Sequence, residues 1–510
     1  MSSLLSPALR YLSQIQKLLI PVRIHELGKF LPTFLIFFLL AYIYDMLRLI
    51  KSSIVVATSH VGAEIIPFLK VWALIPGAVL LASLAIRLSA RYSREKVFYL
   101  MQSFFILFYI LFMVLIYPNR DSLELNVFSD YLMQQLPPGM GGLASMFQFW
   151  YLTIFYVITE LWGSILLSML FWGFANEITS VEQAGRFYPL FLLGANSAAI
   201  FAGHTSAFFA DHIYNPAIPF GHSAWEQSLV FYLSSAVLGG GIVMALFRWM
   251  HTSGMVDVDE DFRASGTAGP EGGKAPGSPA KVTLSFRESV NFLLRSRHLM
   301  FIAMTVLSYN MIFNLSDVLW ENQLKSHFSN DIRGMTYYRS HVTIYTGVIS
   351  VFISLFVTGN ILRRLGWKYA AILTPFLIII SGIGFFSFLL IGHFASVEDL
   401  FSGIAADPLG LALLFGSIQI CVSRGSKYTL FDTTKEIAFI PLERQAKRYG
   451  KAAIDGVGSR LGKSAGSMVV QLLLLFCGSI SSATPYMIVI IFLMLFVWVI
   501  AVRNLGRVLN

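Results

Sequence analysis

The chain has 510 residues, 56% hydrophobic and 15% aromatic, with 13% charged and a formal net charge of +9. Soluble domains average roughly 25% charged residues. No soluble-like stretch here exceeds about 50 residues, below the usual domain size, which excludes a soluble enzyme carried on one or two anchors. The basic residues lie in short loops between apolar runs, where membrane topology accounts for them, so the positive balance does not point to nucleic acid.

Residues 1–29 carry Arg10, Lys17, Arg23 and Lys29 without a continuous apolar core or a small-residue cleavage site. They read as a cytoplasmic segment ahead of a first helix that stays in the membrane. A membrane-crossing helix needs about 20 apolar residues. Spans are expected at 30–54, 67–86, 97–117, 148–175, 187–210 and 228–249, then at 298–322, 341–361, 369–392, 408–435, 458–479 and 484–503. The fold class is therefore an all-α membrane protein of twelve transmembrane helices. Its divisions are an N-terminal bundle over 30–250, a linker over 251–297, a C-terminal bundle over 298–504 and a tail over 505–510. The stretch 251–281 is rich in Gly, Pro, Ser and acid, as flexible linkers are.

Loop charge alternates. Arg87, Arg91, Arg94 and Lys96 follow span two, Arg363, Arg364 and Lys368 follow span eight, and Arg444, Lys447, Arg448 and Lys451 follow span ten. The loops at 57–66, 211–227, 393–407 and 480–484 contain neither Lys nor Arg. This pattern puts both termini in the cytoplasm, with the 323–340 loop (Lys325, Arg333, Arg339) as the exception. The two bundles also echo each other. Glu177-Ile178, Gln183-Ala184, Arg186, Gly194 and Ser197 recur in order as Glu436-Ile437, Gln445-Ala446, Arg448, Gly456 and Ser459. A duplicated six-helix unit of this kind is the major-facilitator arrangement, with substrate near the midplane between the halves.

Charges inside spans cost roughly 2.5–3.5 kcal/mol each, so each needs a reason. Span one carries Asp45, Arg48 and Lys51 on one arc of a helix. Either the cations snorkel and pair, or they line a cavity for an anion; Tyr44 lies beside them. Span four carries Glu160, beside Trp162, as a structural pair or a proton site. Span seven carries Asn310, Asn314, Asp317 and Glu321, whose offsets of 4, 7 and 11 bring them back to one face, expected to line the cavity. Glu321 has the alternative of the outer interface. Span ten ends with Arg424, Lys427, Asp432 and Lys435. Lys427 and Lys435 suit phosphate as point charges, and Tyr44, Trp162, Trp320 and Tyr428 suit a base. An anionic organic substrate is the expectation, with Asp45, Glu160, Asp317 and Glu321 as gating or proton-coupling carboxylates.

Enzymatic chemistry has no foothold. Gly458-Ser-Arg-Leu-Gly462-Lys463-Ser464 has three residues between its glycines where a phosphate loop needs four. Cys421 and Cys477 make no metal spacing, and no cofactor or metal is expected.

Four segments carry a resemblance: GAEIIPFLKVWALIPGA (62–78), ITELWGSILLSMLFWGFANEIT (158–179), SKYTLFDTTKEIAFIPLE (426–443) and GKAAIDGVGSRLGKSAG (450–466). They resemble the ATP/ADP translocase family of plastids and obligate intracellular bacteria. The resemblance implies a nucleotide substrate and a multi-pass place in a bacterial inner membrane, and a monomer is expected. It also implies transport roles for Lys51, Glu160, Lys435 and the acid of span seven. The family's LRDTKD run reads here Leu47-Arg48-Leu49-Ile50-Lys51-Ser52, and its NLVEVTWK reads Asn314-Leu-Ser-Asp317-Val-Leu-Trp320-Glu321. The altered acids resemble the branch that imports ribonucleotides on a net basis with protons; exchange of ATP for ADP is the alternative, and a porter for another organic anion a more distant one.

Overall fold

The computed structural model describes residues 22–254, 296–393, 407–443, 450, 454 and 459–509. Most of the expected linker lies outside these residues. So do Arg444, Lys447, Arg448, Lys451 and the Gly456 of the repeat.

The described chain is helical. In order it forms α1 (Ile24–Thr58), α2 (Gly62–Arg91), α3 (Arg94–Ile116), α4 (Trp150–Ile178), α5 (Val181–Ala210) and α6 (Ala224–Thr252). There follow α7 (Arg297–Phe328), α8 (Ile332–Arg364), α9 (Trp367–His393), α10 (Pro408–Ala438), α11 (Ser459–Cys477) and α12 (Ile480–Leu509). Among the described residues ten of these are long and apolar enough to cross a membrane; α5 and α11 occupy the places of the expected fifth and eleventh spans.

Side-chain spacing explains the packing. Ile36, Leu40, Ile43, Leu47, Ile50 and Ile54 recur every three or four residues along α1 and are all fully buried, forming the seam of an amphipathic helix turned inward. Polar caps set several starts. Ser93, Ser223, Ser296, Asp331 and Asp407 accept from backbone N–H groups at the beginnings of α3, α6, α7, α8 and α10. Ser180 opens α5 with a reciprocal capping box to Gln183.

The connections put the beginnings of α1, α3, α5 and α7 at one end of the bundle, the terminal face, and the α1–α2 and α7–α8 turns at the other, the distal face. Two departures from the sequence reading follow. The loop expected over 323–340 shrinks to Ser329–Asp331, because α7 runs to Phe328 and α8 starts under its Asp331 cap. Arg339 therefore sits inside a helix, and the charge exception disappears for it. Between α3 and α4 the distal face carries short helices at Arg120–Leu123, Asn126–Gln135 and Gly141–Gln148, which span-length reasoning passes over.

Bonds between the two halves of the chain gather at the distal side. Lys325 Nζ donates to the Ala57 carbonyl at 2.9 Å and Arg333 Nε to the Ala210 carbonyl at 3.1 Å. Ile480 N donates to Glu64 Oε1 at 3.0 Å, and Gln471 Nε2 to the Pro67 carbonyl at 2.9 Å. Nearer the terminal face, Arg186–Glu26 and Arg94–Glu177 each join residues of one half.

Candidate functional site

A belt of intramembrane charges crosses the middle of the bundle. On α1, Lys51 is 2% exposed. Its Nζ makes an ion pair with Glu160 Oε2 of α4 and sits 4.0 Å from the centroid of the Tyr156 ring. A buried ammonium is tolerated when a carboxylate and an aromatic face both compensate it. One turn earlier, Asp45 pairs with Arg48 at 2.9 Å in the i, i+3 relation, and Arg48 lies over the Tyr44 ring.

In the C-terminal half, Asp317 of α7 is the hub. Arg424 of α10 reaches its Oδ1 at 3.1 Å, and Lys70 of α2 approaches its Oδ2 at 3.5 Å. Lys70 Nζ also donates to Asn314 Oδ1 at 3.1 Å, while Asn314 Nδ2 donates to Ser467 Oγ at 3.0 Å. Lys70 thus joins the two halves. Lys70 is near enough to Lys51, and Arg424 to Asp45, for their charges to interact.

Helix irregularities place these groups. Lys70 falls in a π-helical turn over Leu69–Ala73, and Lys427 opens another over Lys427–Phe431. A third spans Gly163–Phe171, just beyond Glu160. Such turns insert a residue into the helix and cluster at functional sites. At Gly163 a Cβ would come 2.8 Å from the Tyr44 ring, so the glycine lets α4 and the Tyr44 side chain meet.

The sequence-derived candidates divide accordingly. Arg48, Lys51, Asp45, Glu160, Asp317, Arg424, Asn314 and Tyr44 belong to the belt or its edge. Lys427 pairs with Asp432 at 3.3 Å and lies over the half-exposed Tyr428 ring. Lys435 stands near the terminal end of α10, 3.6 Å from Glu436, beside a small cavity lined by Trp367, Thr434 and Trp498. Three expectations are corrected. Trp162 is 0% exposed; its indole donates to the Leu40 carbonyl and its ring packs edge-on against Phe105, so it belongs to the core rather than to a base site. Asn310 is buried and donates back to the Val306 carbonyl of its own helix instead of lining a cavity. Glu321 lies not at an outer interface but buried in an ion pair with Arg339, whose guanidinium covers the Trp320 ring.

Sequence reasoning missed Lys70 and Arg339. Lys70 had a signal: it is a lysine in the middle of an apolar run, inside the quoted segment 62–78. Arg339 was hidden by its neighbours Arg333 and Lys325, which made the whole stretch resemble a loop.

The chain is similar to known transporters throughout its length. It is 38% identical over 494 residues to "ADP,ATP carrier protein 1" of Chlamydia trachomatis serovar D, covering 97% of this chain and 91% of that one. Against "ADP,ATP carrier protein 1, chloroplastic" of Arabidopsis thaliana it is 34% identical over 489 residues, covering 96% of this chain and 75% of that one. Solved structures of similar fold include a bacterial homologue of the iron transporter ferroportin in an inward-facing state (TM-score 0.53, 14% identity, 94% and 100% covered). The nucleoside transporter NupG is another (TM-score 0.52, 10% identity, 94% and 98% covered). These neighbours share an all-helical, major-facilitator-like fold. The family model described as the TLC ATP/ADP transporter matches residues 7–508, nearly the whole chain, and the chain belongs to that family of membrane transporters.

Proposed function

We propose that this protein moves nucleotides, ATP and other ribonucleoside triphosphates, across a bacterial inner membrane by alternating access between two six-helix halves. The observation that carries the reading is the belt itself. Arg48 and Lys51 of the N-terminal half, Arg424 of the C-terminal half and Lys70 bonded across from one half to the other are each held by a carboxylate. A polyphosphate is the ligand that competes with carboxylates for such cations.

A twelve-span, duplicated architecture is part of the proposal. The helix irregularities support it: shifted by the 259 residues that separate Glu177 from Glu436, the π-helical turn of α4 overlaps that of α10. The loop charges support a topology with both termini in the cytoplasm.

The coupling we favour is net import with protons. A nucleoside triphosphate carries about four negative charges against an inside-negative potential, at roughly 2.3 kcal/mol per charge per 100 mV. When phosphate takes Lys51 from Glu160, proton uptake by that carboxylate offsets the charge the ammonium gave up. Substrate binding and proton uptake are then one event. The relatives' names, ADP,ATP carriers, favour exchange with equal weight.

Uptake of radiolabelled ATP, GTP, UTP and CTP into intact cells expressing the protein, with and without a protonophore, tests both. Protonophore-sensitive uptake with no release of preloaded label by outside nucleotide establishes net import. Uptake that survives the protonophore and drives efflux establishes exchange. Absence of saturable uptake for all four, with the protein present in the membrane, overturns the nucleotide reading. Lys51→Ala is expected to abolish uptake.

A further inference from the structure

Lys70 belongs to the N-terminal half of the chain, but the groups it bonds, Asp317 and Asn314, belong to the C-terminal half. It lies on the same side as the other bonds between the halves. Gln471 ties the helix around it to α11 twice, through the Pro67 carbonyl and through Trp72 Nε1 at 3.2 Å. Parting of α2 from α7 and α11 at the distal side therefore strips Lys70 of both partners at once. Asp317 loses little in that step, because Arg424 of its own half stays 3.1 Å away. In the N-terminal half Glu160 is already engaged by Lys51, and Asp45 by Arg48. Distal opening thus uncovers one excess cation beside Lys51, within electrostatic reach of it. An uncompensated ammonium in a cavity walled by apolar helices is costly, and an incoming polyanion removes that cost.

We propose that Lys70 serves two partners in turn: Asp317 and Asn314 while the distal side is closed, and a phosphate of the nucleotide when it opens. The proposal rests on the nucleotide reading above and adds a substrate-binding residue and a reason for tight coupling. The empty carrier resists distal opening because Lys70 has no anion to go to, and nucleotide arriving from the distal side supplies one.

The test uses the full chain with Cys421→Ser and Cys477→Ser and spin labels on Val127→Cys and Phe476→Cys. These two positions lie at distal ends of opposite halves and are 86% and 82% exposed. Label distances are measured with and without ATP, alongside the KM for ATP supplied from the distal side. Without ATP the parent shows the short distance, and ATP populates the long one. Lys70→Gln is expected to populate the long distance without ATP and to raise the distal-side KM by about tenfold or more, the loss of one charge-assisted bond. Lys70→Arg, which keeps the charge, stays near the parent in both and guards against a folding artefact. Unchanged distances in Lys70→Gln overturn the proposal, and so does an unchanged KM. If the parent itself carries no nucleotide, it is the functional reading that falls.

Discussion

Glu321 and Arg339 illustrate how differently two charges in one membrane helix bundle can behave. Both are buried, they bond to each other within the C-terminal half, and Trp320 covers the guanidinium. Removing one member leaves the other charge uncompensated, a loss of about 3–5 kcal/mol, whereas replacing both with apolar residues of similar size is close to neutral. Arg339→Met is therefore expected to lower the melting temperature in detergent sharply, and Arg339→Met with Glu321→Met to recover most of it. A double variant as unstable as the single one would show that the pair contributes more than mutual compensation. At this scale the sequence was informative about which residues carry charge into the membrane, and silent about partners. Lys51 and Glu160 were each singled out by the cost of burial, but their bond spans 109 residues, a separation no local periodicity encodes. Trp162 was misjudged for a related reason: an aromatic residue near an intramembrane acid has the same local pattern whether it faces a cavity or the core.

Helix existence was legible because most of the apolar runs are long, and helix ends were less so because charge near an end looks the same inside and outside a cap. The α7–α8 turn is the case in point, where Asp331 starts a helix that swallows Arg339. What periodicity could not show is which faces come closest. α5 and α8 cross between the halves with a glycine on each: a Cβ on Gly203 would lie 2.5 Å from Ile344 and 2.8 Å from the Ser340 carbonyl, and one on Gly347 2.7 Å from Ile200 and 3.0 Å from the Asn196 carbonyl. Small residues let membrane helices approach backbone to backbone. Backbone atoms cannot rotate away as a side chain can, so added bulk forces the helices apart. Gly203→Val is expected to cost about 1–3 kcal/mol in this arrangement, a shift of roughly 5–150-fold in the balance between closed and open distal sides. The Val127–Phe476 label distance should lengthen and transport should slow at unchanged expression. A variant with the parent's distance would mean that α5 and α8 slide without needing this close approach.

Across the whole molecule, the cross-half bonds define a direction. Lys325–Ala57, Arg333–Ala210, Ile480–Glu64, Gln471–Pro67 and Lys70–Asp317 all lie from the belt outward to the distal face. Tyr428, past the belt on the terminal side of α10, is 47% exposed and within electrostatic reach of Tyr44 and Arg48 of the other half. A side chain that is solvent-accessible while facing the opposite half lines the space between them, and with the distal side bonded shut that space communicates with the terminal face. In a chain with Cys421→Ser and Cys477→Ser, Tyr428→Cys should react with a membrane-impermeant maleimide in inside-out vesicles, where the terminal face is outermost under the loop-charge topology. In right-side-out vesicles it should react at least about tenfold more slowly, a ratio corresponding to about 1.4 kcal/mol between the two arrangements. Adding nucleotide to the right-side-out vesicles should narrow the difference, because a ligand shifts the populations only by binding one arrangement better than the other. Equal labelling from both sides without nucleotide would mean that the distal bonds do not hold the resting protein closed, and reversed labelling would place the resting opening on the distal face.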